Sequence, residues 1–351
     1  MLAEQIKNKE SLKDSIGNIR KENKSANLEL LEKTTGALFL VECLVNEGLH
    51  FIFKGGTSLV LLLDQIKRFS VDVDIITEED KGKVKTCLNK IIEHQDLFKR
   101  VEENIRENAA SQRMDLQHFK FFFDSVTDAS EKYILLDVAY EKNKYPETTM
   151  KKIKCSKIKV VSDVEVELPT IESILGDKLT VLATKTTGIS YDSQKELELM
   201  KQLYDVDKLF DNAEDLNIVK SSFINIATRE IEYRKLREIT YKDVWDDIQD
   251  FCEDIILLRK EHIDKINLGM SKMSGFITEG KFLIDKEVLT AASKVLYLIK
   301  LIKNNENIIK KYQGEVKVNE VEIPLEYKKR LKRMKLFNEE AYYYIIKSLE
   351  K

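Results

Sequence analysis

The chain has 351 residues, 43% of them apolar, which allows about two domains and excludes wholesale disorder. Lysine and arginine number 58 against 61 aspartates and glutamates, a net charge of −3, so the protein is not a polybasic nucleic-acid coat, although a local basic path stays open. With 3 prolines and 12 glycines it is too poor in turn formers for a many-stranded sandwich or propeller, and it reads as mostly helix.

The N-terminus, MLAEQIKNKESLKDSIGNIRKENK, is polar and lacks the apolar centre of a signal peptide. The first strongly apolar run, 37–45, is interrupted by Glu42 and is far below the ~18 residues of a membrane span. It falls within a predicted helix, 28–45, with Leu31, Leu38, Val41 and Val45 near one face. A short strand is expected at 50–53, ending at Gly55-Gly56, then a helix at 57–66, a strand at 71–76, a helix at 81–94, and strands at 118–123 and 133–140. After Pro169 the texture becomes helical, with long periods at 171–185, 197–210, 218–236, 241–259, 282–302 and about 325–349. The switch puts a boundary between Lys159 and Pro169, giving domains 1–165 and 166–351. Cys43, Cys87, Cys155 and Cys252 are scattered without a C-x-x-C pair or matching histidines, the pattern of free thiols in a reducing cytosol. A cytoplasmic protein without membrane contact is expected.

The chemistry concentrates in FKGGTSLVLLLDQIKRFSVDVDIIT, residues 53–77. Alternation in the second strand sends Val71, Val73 and Ile75 to the core and Asp72 with Asp74 to the opposite face. Two such carboxylates have Cα atoms about 6.5–7 Å apart and can share divalent cations about 3.5–4 Å apart. Their apolar flanks require a central strand, where acids need a cation or a partner. Gly55-Gly56 lets backbone approach a phosphate closely, and the following helix start, with the Thr57 and Ser58 hydroxyls, offers donors. Lys54 adds a cation. These are the parts of a phosphoryl- or nucleotidyl-transfer site.

K-G-G-T-S-L followed by R-F-S-V-D-V-D-I resembles the nucleotidyltransferases of the AbiEii/AbiGii toxin family, within the DNA polymerase β-like superfamily. Lys54, Gly55, Gly56, Thr57 and Ser58 match the first half of the family pattern, and Arg68, Ser70, Asp72 and Asp74 the second. The resemblance implies that Asp72 and Asp74 hold Mg²⁺, that Gly56 and Ser58 grip the nucleotide phosphates, and that a third acid stands on a neighbouring strand. Asp137, inside the apolar strand ILLDV, is preferred over Asp124, since an acid at a strand end is usually a turn former. The implied fold is α+β, a polymerase β-like core with a small mixed sheet followed by an α-helical C-terminal domain.

Two further segments carry the likeness. In ESILGDKLTVL, Lys178 shares a helical face with Ile171, Ile174, Leu175 and Leu182, so it either snorkels or needs an anion. The family counterpart of this lysine faces the active site, which implies phosphate binding. In KELELMKQLYDVDKLF, Asp205 matches a family aspartate, while Gln202 departs from the pattern. Periodicity disagrees here, placing Asp207 inside the apolar arc of Leu199, Leu203, Val206 and Phe210, and Asp205 outside it.

The cation runs Lys151, Lys152, Lys154, Lys157, Lys159 and 328–335 read first as solvated faces, and as surfaces for a polyanion if they line a groove. Trp245 and Tyr342 to Tyr344 read as packing. The resemblance as a whole implies a Mg²⁺-dependent transfer of a nucleoside monophosphate from an NTP to RNA, tRNA included, by the toxin of a toxin–antitoxin pair. A small-molecule or protein acceptor, or a degenerate binding module, are the alternatives.

Overall fold

The computed structural model describes residue 6 and residues 8–22, 27–63, 68–105, 115–273, 275–277, 281–314 and 321–350. The chain forms two compact units, Met1–Asn143 with Thr148–Thr170, and Lys144–Glu147 with Ile171–Lys351. The end of the predicted helix 57–66 and the side chain of Lys157 lie outside the described residues.

The first unit contains α1 (Lys9–Glu22), α2 (Leu28–Asn46), β1 (Ile52–Lys54), α3 (Gly55–Leu62), β2 (Val73–Thr77), α4 (Lys81–His94), β3 (Arg100–Glu103), β4 (Leu116–Asp124), β5 (Glu131–Tyr140), β6 (Thr148–Cys155) and β7 (Val160–Pro169). The strands make one mixed sheet in the order β3-β4-β5-β2-β1-β7-β6. Pairs β2/β5 and β1/β7 are parallel and the rest antiparallel. β2 therefore sits in the middle, as its apolar flanks require. It begins at Val73 rather than Val71, because the Asp72 carbonyl accepts from the Thr57 hydroxyl (2.5 Å) outside the ladder. One sheet face carries Val73, Ile75, Leu136, Val138, Phe119 and Phe121, all at most 3% exposed. Asn27 starts α2 by accepting from the Glu29 and Leu30 amides, and Asp80 starts α4 through the Lys83 amide. From Thr34 to Leu44, α2 is buried on every side, so its apolar pattern is wider than one stripe.

The sheet is larger than the small one expected, since β3, β6 and β7 were not legible as strands. β6 is an edge strand whose Lys151, Lys152 and Lys154 are exposed while Ile153 is buried. Lysines on an edge oppose pairing with another chain, and they hide the apolar alternation. Because β7 runs to Pro169, the first unit extends to Thr170 rather than stopping near 165.

The second unit is helical: α5 (Ile171–Thr180), α6 (Glu196–Asn212), α7 (Leu216–Arg234), α8 (Tyr241–Ile256), α9 (Lys260–Met273), α10 (Leu289–Lys303), α11 (Leu325–Phe337) and α12 (Glu339–Leu349). Four predicted helices are shorter than expected. α5 stops at Thr180, not Lys185, because the buried Asp247 carboxylate accepts from the amides of Lys185 and Thr186 (2.8 Å each), drawing the chain into a loop. α8 stops at Ile256, and left-handed Leu258 (φ 54°) turns the chain into α9. The segment 325–349 breaks at Asn338, whose side chain caps α12 through the Ala341 amide (3.0 Å). Residues Ile284–Val288 wind as a wider π-turn ahead of α10. Trp245 packs on Phe223 with ring centroids 6.1 Å apart, and Tyr344, Leu331 and Met334 are buried, as packing residues should be. Lys294 is buried against Asp207 (2.8 Å), Asp211 (2.6 Å) and Glu340 (3.4 Å), tying α6, α10 and α12 together. Burial pulls its pKa down, but the three carboxylates outweigh burial and hold it above the ordinary lysine value.

No helix among the described residues is long and apolar enough to cross a membrane. None of the four cysteines forms a disulfide and all are buried; burial raises the Cys87 thiol to about 11 and lifts Cys43 and Cys252 as well. Alkylation of the native protein at pH 8 is expected to be slow at all four, and denaturation should release four reactive thiols, read by mass spectrometry.

Candidate active site

Four adjacent strands place one polar residue each in a single row. Lys54 lies opposite Asp74 across β1 and β2, Asp74 opposite Asp137 across β2 and β5, and Asp137 opposite His118 across β5 and β4. Residues in register share a sheet face. The next row, Phe53, Ile75 and Val138, is fully buried on the other face, so alternation sends Lys54, Asp74 and Asp137 away from that core. On their own face they border Ile52, Ile76 and Ala139, exposed by 8%, 2% and 6%. Two carboxylates abreast at the margin of an apolar surface repel each other and are costly to leave uncompensated. His118, 8% exposed, meets Asp137 through Nδ1 and Oδ1 at 2.7 Å. Asp72 is exposed and directly precedes β2.

The two halves of the motif fold onto each other, which explains both glycines. Gly55 has φ +79°, and a Cβ there would stand 2.0 Å from Asp74 Oδ2. A Cβ on Gly56 would stand 2.8 Å from Ser70 Oγ and 2.9 Å from Arg68 Nη2. Thr34 Oγ1 donates to the Ser70 carbonyl (3.1 Å), and Arg68, 3% exposed, donates to the Phe69 carbonyl (3.0 Å). Arg68 and Ser70 thus buttress the glycine turn. The Thr57 hydroxyl donates to Asp72 O and the Ser58 hydroxyl to Gly55 O (2.9 Å), and both residues are buried. As they stand, both hydroxyls hold the loop itself. α3 begins at Gly55 without a side-chain cap.

Among the described residues no three His, Cys, Asp or Glu side chains converge as they stand to hold a metal. What the sheet does supply is the right donor chemistry for a hard divalent cation, aspartate oxygens on neighbouring strands of one face.

In the second unit, Lys178 Nζ donates to Asp205 Oδ2 and Gln202 Oε1, each at 2.9 Å. Lys178 is 5% exposed and Asp205 is fully buried. Lys178 therefore has its anion and does not snorkel. The placement of Asp205 outside the apolar arc is corrected, because α6 is buried on both flanks: Asp207 turns to Lys294 and Asp205 to Lys178. Asp124 pairs with Lys99 at the end of β4 (2.5 Å), away from the row. His118 went unnoticed in the sequence. Phe119, Phe121 and Phe123 assign it to the opposite face, but its partnership with Asp137 depends on a register that no local pattern sets.

A family model described as nucleotidyl transferase AbiEii toxin, type IV toxin–antitoxin system, matches residues 38–267. No curated protein matches the sequence. The chain is similar to the crystal structure of JHP933 from Helicobacter pylori (14% identity, TM-score 0.46, covering 78% of this chain and 93% of that one). It is also similar to an antigenic nucleotidyltransferase-like protein from Paracoccidioides brasiliensis (13% identity, TM-score 0.37, covering 61% and 96%).

Lys178→Met takes the ammonium away from the fully buried Asp205 carboxylate. A loss of about 3–5 kcal/mol in urea unfolding is expected, with Lys178→Met/Asp205→Leu recovering most of it.

Proposed function

We infer the function from one premise: this chain belongs to the nucleotidyl transferase AbiEii toxin family, and it is a nucleotidyltransferase. We propose that it transfers a nucleoside monophosphate from an NTP to an RNA acceptor in a Mg²⁺-dependent reaction, as the toxin partner of a cognate antitoxin. The observation that carries this reading is the pair Asp74 and Asp137, abreast on central strands beside the Gly55 turn.

Asp74 and Asp137, with Asp72 at the head of β2, would hold the cations. When bound, these would polarise the phosphate oxygens and lower the pKa of an acceptor hydroxyl. The acceptor hydroxyl gives up its proton to solvent as its oxygen forms a bond to the α-phosphorus, the bond from that phosphorus to the bridging oxygen breaks, and pyrophosphate leaves with the electron pair. Gly55 and Gly56 let main-chain N–H groups at the start of α3 approach the triphosphate, and Lys54, at the end of the row, adds a cation for it. Arg68, Ser70, Thr57 and Ser58 keep the turn in shape. Lys178 is assigned to the phosphates by family likeness. In this role Asp205 and Gln202 would fix its ammonium in place.

An RNA acceptor is supported by the exposed cations of α11, Lys328, Lys329, Lys332, Arg333 and Lys335, which project from a helix whose Leu331 and Met334 are buried. Such a surface suits a polyanion. A Lys332→Glu/Arg333→Glu protein is expected to show a shallower dependence of RNA affinity on salt, by about 0.7 in log–log slope per lost phosphate contact. An unchanged slope would remove α11 from the RNA surface.

Labelled NTPs, Mg²⁺ and total RNA test the reaction. Wild type should label RNA, and Asp74→Asn should lower labelling by about two orders of magnitude or more. Undiminished labelling by Asp74→Asn would overturn the site. Labelling of protein alone would overturn the RNA acceptor.

A further inference from the structure

We propose that His118 is a positioning residue for the proposed metal site: it engages one oxygen of Asp137 and thereby presents the other to a divalent cation. The inference rests on the metal-dependent reading above and adds a residue to it.

A carboxylate only accepts, so Nδ1 carries the proton in the 2.7 Å contact and donates to Asp137 Oδ1. Left to itself an aspartate turns easily about its last bond, whose preference is broad and two-fold. A hydrogen bond from a fixed donor removes that freedom. His118 is such a donor. Its side chain is 9% exposed. Its backbone carbonyl accepts from the Asn104 amide (2.7 Å), and the β4/β5 ladder holds it directly opposite Asp137.

On the same face and strand, Lys120 and Phe122 are only half-buried, so burial of His118 is local to the acid row. Asp137 thus stands between two unlike neighbours, His118 on β4 and Asp74 on β2. The oxygen engaged by the imidazole is the one committed toward β4. The row therefore has a direction, with a fixed donor at one end and two carboxylates inward of it. Partners that orient a ligating carboxylate usually matter about 10–100-fold in metal affinity.

The test is a Mn²⁺ titration of the full chain with a non-hydrolysable NTP, read from the electron paramagnetic resonance signal of free Mn²⁺. His118→Ala should weaken Mn²⁺ binding about 10–100-fold. His118→Asn, whose amide nitrogen falls near the Nδ1 position, should restore most of it, and His118→Gln, which reaches toward Nε2 instead, should not. If His118→Ala fails to fold, the Asn and Gln variants decide between them. Asn and Gln variants that both bind like wild type would overturn the proposal, as would normal binding by a folded His118→Ala. Asp74→Asn separates the two readings. If it abolishes Mn²⁺ binding while the histidine variants bind normally, only the role of His118 falls. If wild type and Asp74→Asn bind alike, the metal reading falls with it.

Discussion

The register between β2 and β5 is the constraint on which the rest of this molecule depends. It sets Asp74 directly beside Asp137 in the middle of a seven-stranded sheet, with buried apolar residues in the next row and behind. A slip of β2 by one residue would send Asp74 into the core, bring Ile75 out and part Asp74 from Asp137. The large apolar area on the core face therefore fixes the acids indirectly, since the register that buries Val73, Ile75, Leu136 and Val138 is the one that aligns Asp74 with Asp137. Stability and chemistry are opposite faces of one strand pairing. The glycine turn follows from the same geometry. Gly55, at φ +79°, passes so near Asp74 that a Cβ there would collide with the carboxylate, and a Cβ on Gly56 would displace the ends of Ser70 and Arg68.

The second unit handles charge differently. Lys178 with Asp205, and Lys294 with Asp207 and Asp211, are buried opposite charges between helices. Buried pairs of this kind contribute little net stability over apolar residues of equal volume, yet breaking one is costly. Each pair favours the helix docking in which the ammonium meets its carboxylates. Gln202 fits this pattern. It takes part in the same hydrogen-bonded group as Asp205 and gives Lys178 a neutral oxygen acceptor beside the charged one.

Much of the fold was legible because period and punctuation agreed. The helix 81–94 is observed with the same ends, Asp80 serving as its cap, and the central strand was fixed by its apolar flanks. The strands that escaped did so for physical reasons. β6 exposes lysines on an edge, where solvent rather than a core chooses the residues, and β3 is four residues long. Helix ends failed where a side chain from elsewhere captured the backbone, as Asp247 does beyond Thr180. At the site, Asp74, Asp137 and the glycine turn could be found from local pattern and resemblance. Their alignment in one row with His118 could not, because it is a property of pairing between strands distant in sequence. The same holds for Asp205, whose burial is imposed by a neighbouring helix and not by its own periodicity.

The central claim is that the Asp74–Asp137 row holds divalent cations for nucleotidyl transfer. Anomalous diffraction from crystals grown with Mn²⁺ and a non-hydrolysable NTP tests it most directly. The account predicts a Mn²⁺ peak within about 2.0–2.6 Å of carboxylate oxygens from both Asp74 and Asp137, with the triphosphate over the Gly55 turn. Mn²⁺ and nucleotide bound elsewhere on the chain, with these two carboxylates unligated, would contradict it.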